Sequence, residues 1–199
     1  MKITEVLFDA DGVVIKNRGR FFSEKYAEEY GVPLDQVAAF FKQEYGKCAR
    51  GQADLKEVLP QYLNRWGWEG TINTFLNYWF ESERDLEARI LACVDDLRSR
   101  GIRCSIVSDQ EKYRAEYLMT ETDLGKHFDR AFFSMDLGFK KSEVEFFSKV
   151  LGQLKTESEL VMYWDDDSKN IDVAKQIGID GRTYVNWEDF EKQIMLLLG

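Results

Sequence analysis

Val6-Leu7-Phe8-Asp9-Ala10-Asp11-Gly12-Val13 is an apolar run that ends in two carboxylates separated by one small residue. It reads as the end of a buried strand that delivers a nucleophile. In an extended backbone, residues two apart share a face, so Asp9 and Asp11 are expected to point at one reaction centre while Ala10 turns away. Gly12 then lets the backbone swing out. Taken alone, the same pattern also fits a hairpin turn between apolar runs, and the decision falls to the rest of the chain.

Outward from this stretch, residues 3–8 form a short apolar strand, after which the pattern turns helical up to the low eighties. Within the aromatic-rich residues 21–83, apolar side chains recur at helical spacing, as in Leu55, Val58, Leu59, Tyr62, Leu63 and Trp66, or Phe75, Leu76, Trp79 and Phe80. Pro33 suits the first turn of a helix. Trp66, Trp68, Phe75, Tyr78 and Trp79 are assigned to the core of a small helical bundle rather than to a stacking surface. From Glu87 onward, helix and strand alternate. Strands are predicted at 103–107, 130–133, 159–164 and 182–184, and helices at 90–100, 142–154, 169–177 and 189–198. Such alternation implies an α/β fold, a Rossmann-like doubly wound parallel sheet with helices on both faces. Residues 1–15 and 85–199 are assigned to this core domain, and residues 16–84 to an inserted α-helical cap domain.

With 199 residues, 44% hydrophobic and 14% aromatic, the chain can bury a sizeable core. Its formal net charge of -9 argues against nucleic-acid binding and against a polybasic membrane contact, both of which need excess Lys and Arg. An anionic substrate must then be drawn in by local cations, for which the insert offers Lys16, Arg18, Arg20, Lys47 and Arg50. The three cysteines, Cys48, Cys93 and Cys104, show no metal or redox spacing and read as buried thiols of a reducing compartment. The opening residues fit neither a signal peptide nor a membrane span, so a cytoplasmic location is expected. No oligomeric state follows from the sequence.

In parallel sheets of this kind, ligands bind at the carboxyl ends of the strands, and each predicted strand end carries a polar group suited to phosphate chemistry. Ser108-Asp109 follows Ile106-Val107, where a hydroxyl and helix amides can hold a phosphate oxygen, although Ser108 also fits an ordinary N-cap. After Phe132-Phe133, residues 134–142 read as a loop that brings a lysine to the start of the next helix. That position opposes the helix dipole and so suggests an anionic partner. Asp165-Asp166-Asp167, with Asn170 beyond, would repel one another unless a cation neutralised them; a solvated acidic cap is the other reading. His127 is the only histidine, so no Ser-His-Asp triad has specific support. The Asp9 segment is not an EF-hand, because Gly12 comes too early and no Glu closes the loop.

Together these segments resemble the haloacid dehalogenase superfamily, specifically its phosphatase-like members with a helical cap inserted after the first motif. Asp9-Ala10-Asp11-Gly12-Val13 matches the first motif and Ser108 the second. Gly138-Phe139-Lys140-Lys141-Ser142 matches the third, and Asp165-Asp166 with Asn170 the fourth. The resemblance implies that Asp9 attacks phosphorus to give an aspartyl-phosphate, and that Asp11 protonates the leaving alcohol and then activates water. Ser108 and Lys141 would hold the phosphoryl oxygens. Asp9, the backbone carbonyl of Asp11, and Asp165 or Asp166 would bind Mg2+. Asp109, Arg18 and Arg50 are further candidates for substrate contact. Three departures stand out: Asp109 where Asn is usual, Ser142 where Pro often follows the lysine, and Lys140, which leaves the lysine assignment open by one residue. Dehalogenation itself is not expected, since the members that perform it lack the second aspartate.

The implied activity is Mg2+-dependent hydrolysis of a small phosphate ester, a sugar phosphate or nucleotide. A phosphomutase of the β-phosphoglucomutase type and a non-catalytic binding module are the alternatives. Phosphomonoester hydrolysis can demand rate gains approaching ~10²¹, about 28 kcal/mol of barrier reduction. A carboxylate nucleophile that splits the displacement, a metal between anions and a carboxyl whose proton affinity is raised by crowding anions would divide that task. The helical insert is expected to act as a lid that excludes water.

Overall fold

All five residues of β1 (Glu5–Asp9) are buried, which a strand achieves only with partners on both edges and cover on both faces. The computed structural model, which describes residues 3–16 and 19–198, supplies both. β2 (Arg103–Ser108), β3 (Arg130–Phe133), β4 (Val161–Asp165) and β5 (Asp180–Thr183) complete a five-stranded sheet in the order β3-β2-β1-β4-β5. Every pairing is parallel. The order reverses around β1, and such a switch point opens a crevice at the carboxyl ends of the central strands. The register that pairs Phe8 with Trp164 sets Asp9 level with Asp165.

Side chains alternate across the sheet as the strand period requires. On one face Val6, Phe8, Ile106 and Trp164 pack against α6 (Ala88–Ser99), α7 (Lys112–Thr120) and α12 (Trp187–Leu198). On the other, Leu7, Val107 and Tyr163 pack against α10 (Val144–Leu154) and α11 (Ser168–Gln176). The sheet is therefore covered on both sides in an α/β Rossmann-like arrangement, as predicted. Cys48, Cys93 and Cys104 are free thiols. No helix among the described residues is long and apolar enough to cross a membrane.

Among the described residues, five helices lie between β1 and α6: α1 (Phe22–Tyr30), α2 (Leu34–Cys48), α3 (Leu55–Val58), α4 (Pro60–Arg65) and α5 (Ile72–Ser82). They share a core of their own around Phe22, Tyr26, Phe40, Trp66, Phe75 and Trp79, with Trp68 and Tyr78 packed against it. The aromatic stripe thus buries itself, and Phe22 stacks on Trp79 at 5.3 Å. The apolar residues from Leu55 to Trp66, which recur at helical spacing, span two short helices. Pro60 lacks an amide hydrogen and so starts a new helix instead of continuing the old one.

Other local expectations shift for identifiable reasons. β1 ends at Asp9 and the chain turns at Ala10, so Asp9 and Asp11 do not share one face of an extended strand. Ser108 closes β2, and α7 begins only at Lys112, capped by the carboxylate of Glu111; Ser108 is therefore not a helix cap. The stretch read as a loop after β3 opens with the helical turn α9 (Ser134–Leu137), and His127 ends another, α8 (Leu124–His127). Glu159 and Leu160 belong to a 3-10 turn before β4, and β5 lies two residues earlier than predicted at its start.

The helices between β1 and α6 touch the elements around the sheet where the Ser134 hydroxyl donates to the Ala49 carbonyl at 2.5 Å. Nearby, Gly51 has φ +67°, and a Cβ there would overlap the Met135 carbonyl oxygen. A left-handed non-glycine residue costs about 1–3 kcal/mol. Gly51→Ala is expected to destabilise the protein by at least that range in thermal or urea unfolding; an unchanged midpoint would mean that this contact does not form in solution.

Candidate active site

The carboxyl end of the sheet gathers the predicted polar residues from four separate segments. Asp9 sits at the end of β1, Ser108 at the end of β2, and Asp165 at the end of β4. Lys141 arrives from the loop between α9 and α10. The Lys141 ammonium lies 2.5 Å from Asp9 Oδ1 and 2.8 Å from Asp165 Oδ2, with all three side chains buried. Lys140 turns elsewhere, its Nζ approaching Gly46 of α2, so the lysine that meets the two carboxylates is Lys141. Asp109 braces this loop by accepting the Lys141 backbone N–H at 3.0 Å.

Asp165 is held from every side. Besides Lys141 it accepts from the Tyr163 hydroxyl, from Asn170 Nδ2 at 3.1 Å and from the Asp167 backbone N–H at 2.7 Å. Asp166 is exposed, and one oxygen of each of Asp9, Asp165 and Asp166 falls within 4.8 Å of the others. Gly12, at φ +92°, leaves the room that Asp166 occupies; a Cβ there would overlap the Asp166 carboxylate.

Burial pushes the Asp9 carboxyl well above the usual carboxylate range, opposed by the Lys141 charge and reinforced by Asp165. Burial by itself would depress the Lys141 ammonium, but Asp9 and Asp165 outweigh it and the net direction is up. Burial also raises Asp109, against the pull of Lys141, and raises Asp166, where Asp165 adds to it. Asp11 Oδ1 accepts from Arg114 Nη2 at 2.7 Å, and Oδ2 accepts from Gln110 Nε2 at 2.5 Å. The same Gln110 nitrogen donates to Ser108 Oγ at 3.1 Å.

A cavity of about 730 Å³ opens beside these residues, walled by Asp11, Asp109 and Asp166 below and by Phe22, Phe41 and Trp79 of the insert above. Lys16, Arg20 and Lys42 also line it. Arg50 does not; it pairs with Glu143. Lys47 pairs with Glu44 at 3.0 Å, and Arg18 lies outside the described residues.

Residues 6–182 match the family model of the haloacid dehalogenase-like hydrolases. The chain belongs to this family. A phosphorylated carbohydrates phosphatase of Thermotoga maritima is 22% identical over 184 residues, covering 88% of this chain and 82% of its own. Among solved structures, a HAD-like family hydrolase of Porphyromonas gingivalis superposes with TM-score 0.81 at 20% identity, covering 100% of this chain and 98% of that one. A HAD family enzyme of Bacteroides thetaiotaomicron, in complex with magnesium and inorganic phosphate, gives 0.73 at 18%, covering 94% and 98%. These structural likenesses establish the fold, and the family membership makes the protein a haloacid dehalogenase-like hydrolase.

Gln110, Glu111 and Arg114 were not among the expected site residues. Their one sequence signal is a charged residue on the apolar stripe of α7, where Arg114 stands four before Leu118 and is buried with it. Glu111 is buried and accepts the Tyr113 and Arg114 backbone N–H groups at 3.0 and 2.6 Å. Burial, partly offset by those two bonds, raises its carboxyl from 4.5 to about 7. The folded protein therefore keeps a proton that the unfolded chain releases above 4.5. The stability from this group is complete below that value and is lost as pH rises towards 7, on the order of 3 kcal/mol in all. Glu111→Gln is expected to flatten this part of the curve, so that urea unfolding at pH 5 and pH 7.5 shows the variant gaining on the wild type at the higher pH. Parallel curves would remove Glu111 as the source.

Proposed function

We propose that this hydrolase cleaves a small phosphomonoester, a sugar phosphate or nucleotide, through an aspartyl-phosphate on Asp9 and with Mg2+ as cofactor. The observation that carries this reading is the buried Lys141 ammonium shared between Asp9 and Asp165. An ammonium held there anchors the nucleophile and presents positive charge to a phosphoryl group approaching it.

The charge balance fits a divalent cation. Asp9 and Asp165 share the Lys141 ammonium, and an oxygen of the exposed Asp166 lies within 4.8 Å of an oxygen of each, so three carboxylates gather where one ammonium stands. Asp9 and Asp166 would hold the metal together with the Asp11 backbone carbonyl, since Asp165 is already engaged by four donors. When bound, the ion neutralises charge between the attacking carboxylate and the phosphoryl group and aligns the two. Asp9 attacks phosphorus. Ser108 Oγ, an acceptor from Gln110, keeps its own proton to donate to a phosphoryl oxygen. Asp11, half-exposed at the cavity wall, gives a proton to the leaving oxygen and then takes one from the water that opens the phosphoryl-enzyme. The helical insert closes the cavity over this chemistry and limits water, and Lys16, Arg20 and Lys42 supply positive charge at its rim. The reading includes a cytoplasmic setting and a substrate that is neither nucleic acid nor membrane, in keeping with the net charge of -9.

Asp9→Asn is expected to lower phosphate release from p-nitrophenyl phosphate by at least about 10⁴-fold, since loss of a covalent nucleophile costs on that order; near-normal turnover in that variant would remove Asp9 as nucleophile. Chelation with EDTA is expected to abolish activity and added Mg2+ to restore it, whereas turnover indifferent to chelation would exclude the metal.

A further inference from the structure

α7 buries Arg114 beside Ala115 and Leu118, and the guanidinium side chain is only 3% exposed. A buried cation needs partners, and those of Arg114 come from both parts of the molecule. Nη2 donates to Asp11 Oδ1 at 2.7 Å and to the Glu83 carbonyl at 3.1 Å. Nη1 lies 3.8 Å from Glu83 Oε2 and makes no hydrogen bond. Glu83 follows the last helix of the insert. Its carboxylate accepts the Trp79 indole N–H at 2.8 Å and the backbone N–H of Phe22, the first residue of α1, at 3.1 Å. One arginine thus grips the proposed proton donor and also the carboxylate that ties together the two ends of the insert.

We propose that Arg114 is a positioning residue for proton transfer by Asp11. Its guanidinium and the Gln110 amide hold the two carboxyl oxygens in one orientation, and Glu83 links that orientation to the seating of the insert. The inference rests on the reading of Asp11 as proton donor. As the Asp9 oxygen–phosphorus bond forms, the bond from phosphorus to the ester oxygen breaks and its electron pair stays on that oxygen, which takes the Asp11 proton and leaves as a neutral alcohol. The O–H electron pair remains on the Asp11 carboxylate, where the new negative charge meets the guanidinium. A merely structural arginine would fill the same space, but its loss would not depend on which ester is cleaved.

The leaving group separates the two roles. Kinetics through release of the alcohol, read as kcat/KM, are measured with 4-nitrophenyl, phenyl and 4-methoxyphenyl phosphate, which are similar in size and differ in their need for protonation. For R114Q, the expected loss is about 100-fold on the methoxyphenyl ester and below about 10-fold on the nitrophenyl ester, within the range that general acid catalysis contributes. R114K keeps the charge but not the fork, and is expected to show the same asymmetry with a smaller loss, which serves if R114Q does not fold. Equal losses across the three esters in R114K overturn the proposal. Asp11→Asn is the reference: asymmetry there without asymmetry in the Arg114 variants refutes the role of Arg114 alone, and equal losses in Asp11→Asn refute the reading of Asp11 beneath it.

Discussion

The Lys141 ammonium between Asp9 and Asp165 is the contact on which the rest of this structure depends. Parallel pairing of β1 with β4 forces two carboxylates to the same level at the end of the sheet. Like charges about 4 Å apart repel by about 4 kcal/mol at an effective dielectric near 20, and burial removes the water that would soften this. The lysine between them turns the repulsion into attraction. The loop after β3 is accordingly braced, with Asp109 holding the Lys141 backbone and Glu143 accepting the Lys140 N–H at 2.8 Å. Tyr163 and Asn170 complete the grip on Asp165, and burial together with Asp165 keeps the Tyr163 phenol protonated as a donor.

Around that contact the two aspartates of the opening motif are sorted into different environments. Asp9 is buried among charged groups, and Asp11 stands at the cavity wall with an arginine and an amide. The separation follows from the chain leaving the extended conformation at Ala10, whose methyl group is buried in the sheet core. Gly12 then carries the backbone past Asp166 with no side chain between them. The two roles that the proposed reaction asks for, one carboxyl as nucleophile and another as proton carrier, would in this way be set by a single turn.

Much of this was legible in the sequence, and the reason differs from element to element. The strands were readable because runs such as Val6-Leu7-Phe8 and Val161-Met162-Tyr163-Trp164 are apolar on both faces, as strands buried in a parallel sheet must be. The helices between β1 and α6 were readable from the spacing of their aromatics. Asp9, Ser108, Lys141 and the Asp165 cluster could be singled out because each follows such a run, at the end of the strand where a parallel sheet opens. Less local features escaped. The helix expected after β2 received no bounds because the stripe of α7 carries Arg114 and two tyrosines instead of simple aliphatics, and Arg50 reads as a substrate contact because nothing near it in sequence announces Glu143.

What the sequence by itself determined is the alternation of strands and helices and which polar residues follow the strands, since both depend on periodicity and on residues adjacent along the chain. Only the tertiary structure decided that Lys141 rather than Lys140 meets the carboxylates, that Asp11 belongs to Arg114 and Gln110, and which cations line the cavity. Those outcomes are set by contacts between segments tens of residues apart, where the direction of a side chain depends on packing that no local pattern encodes.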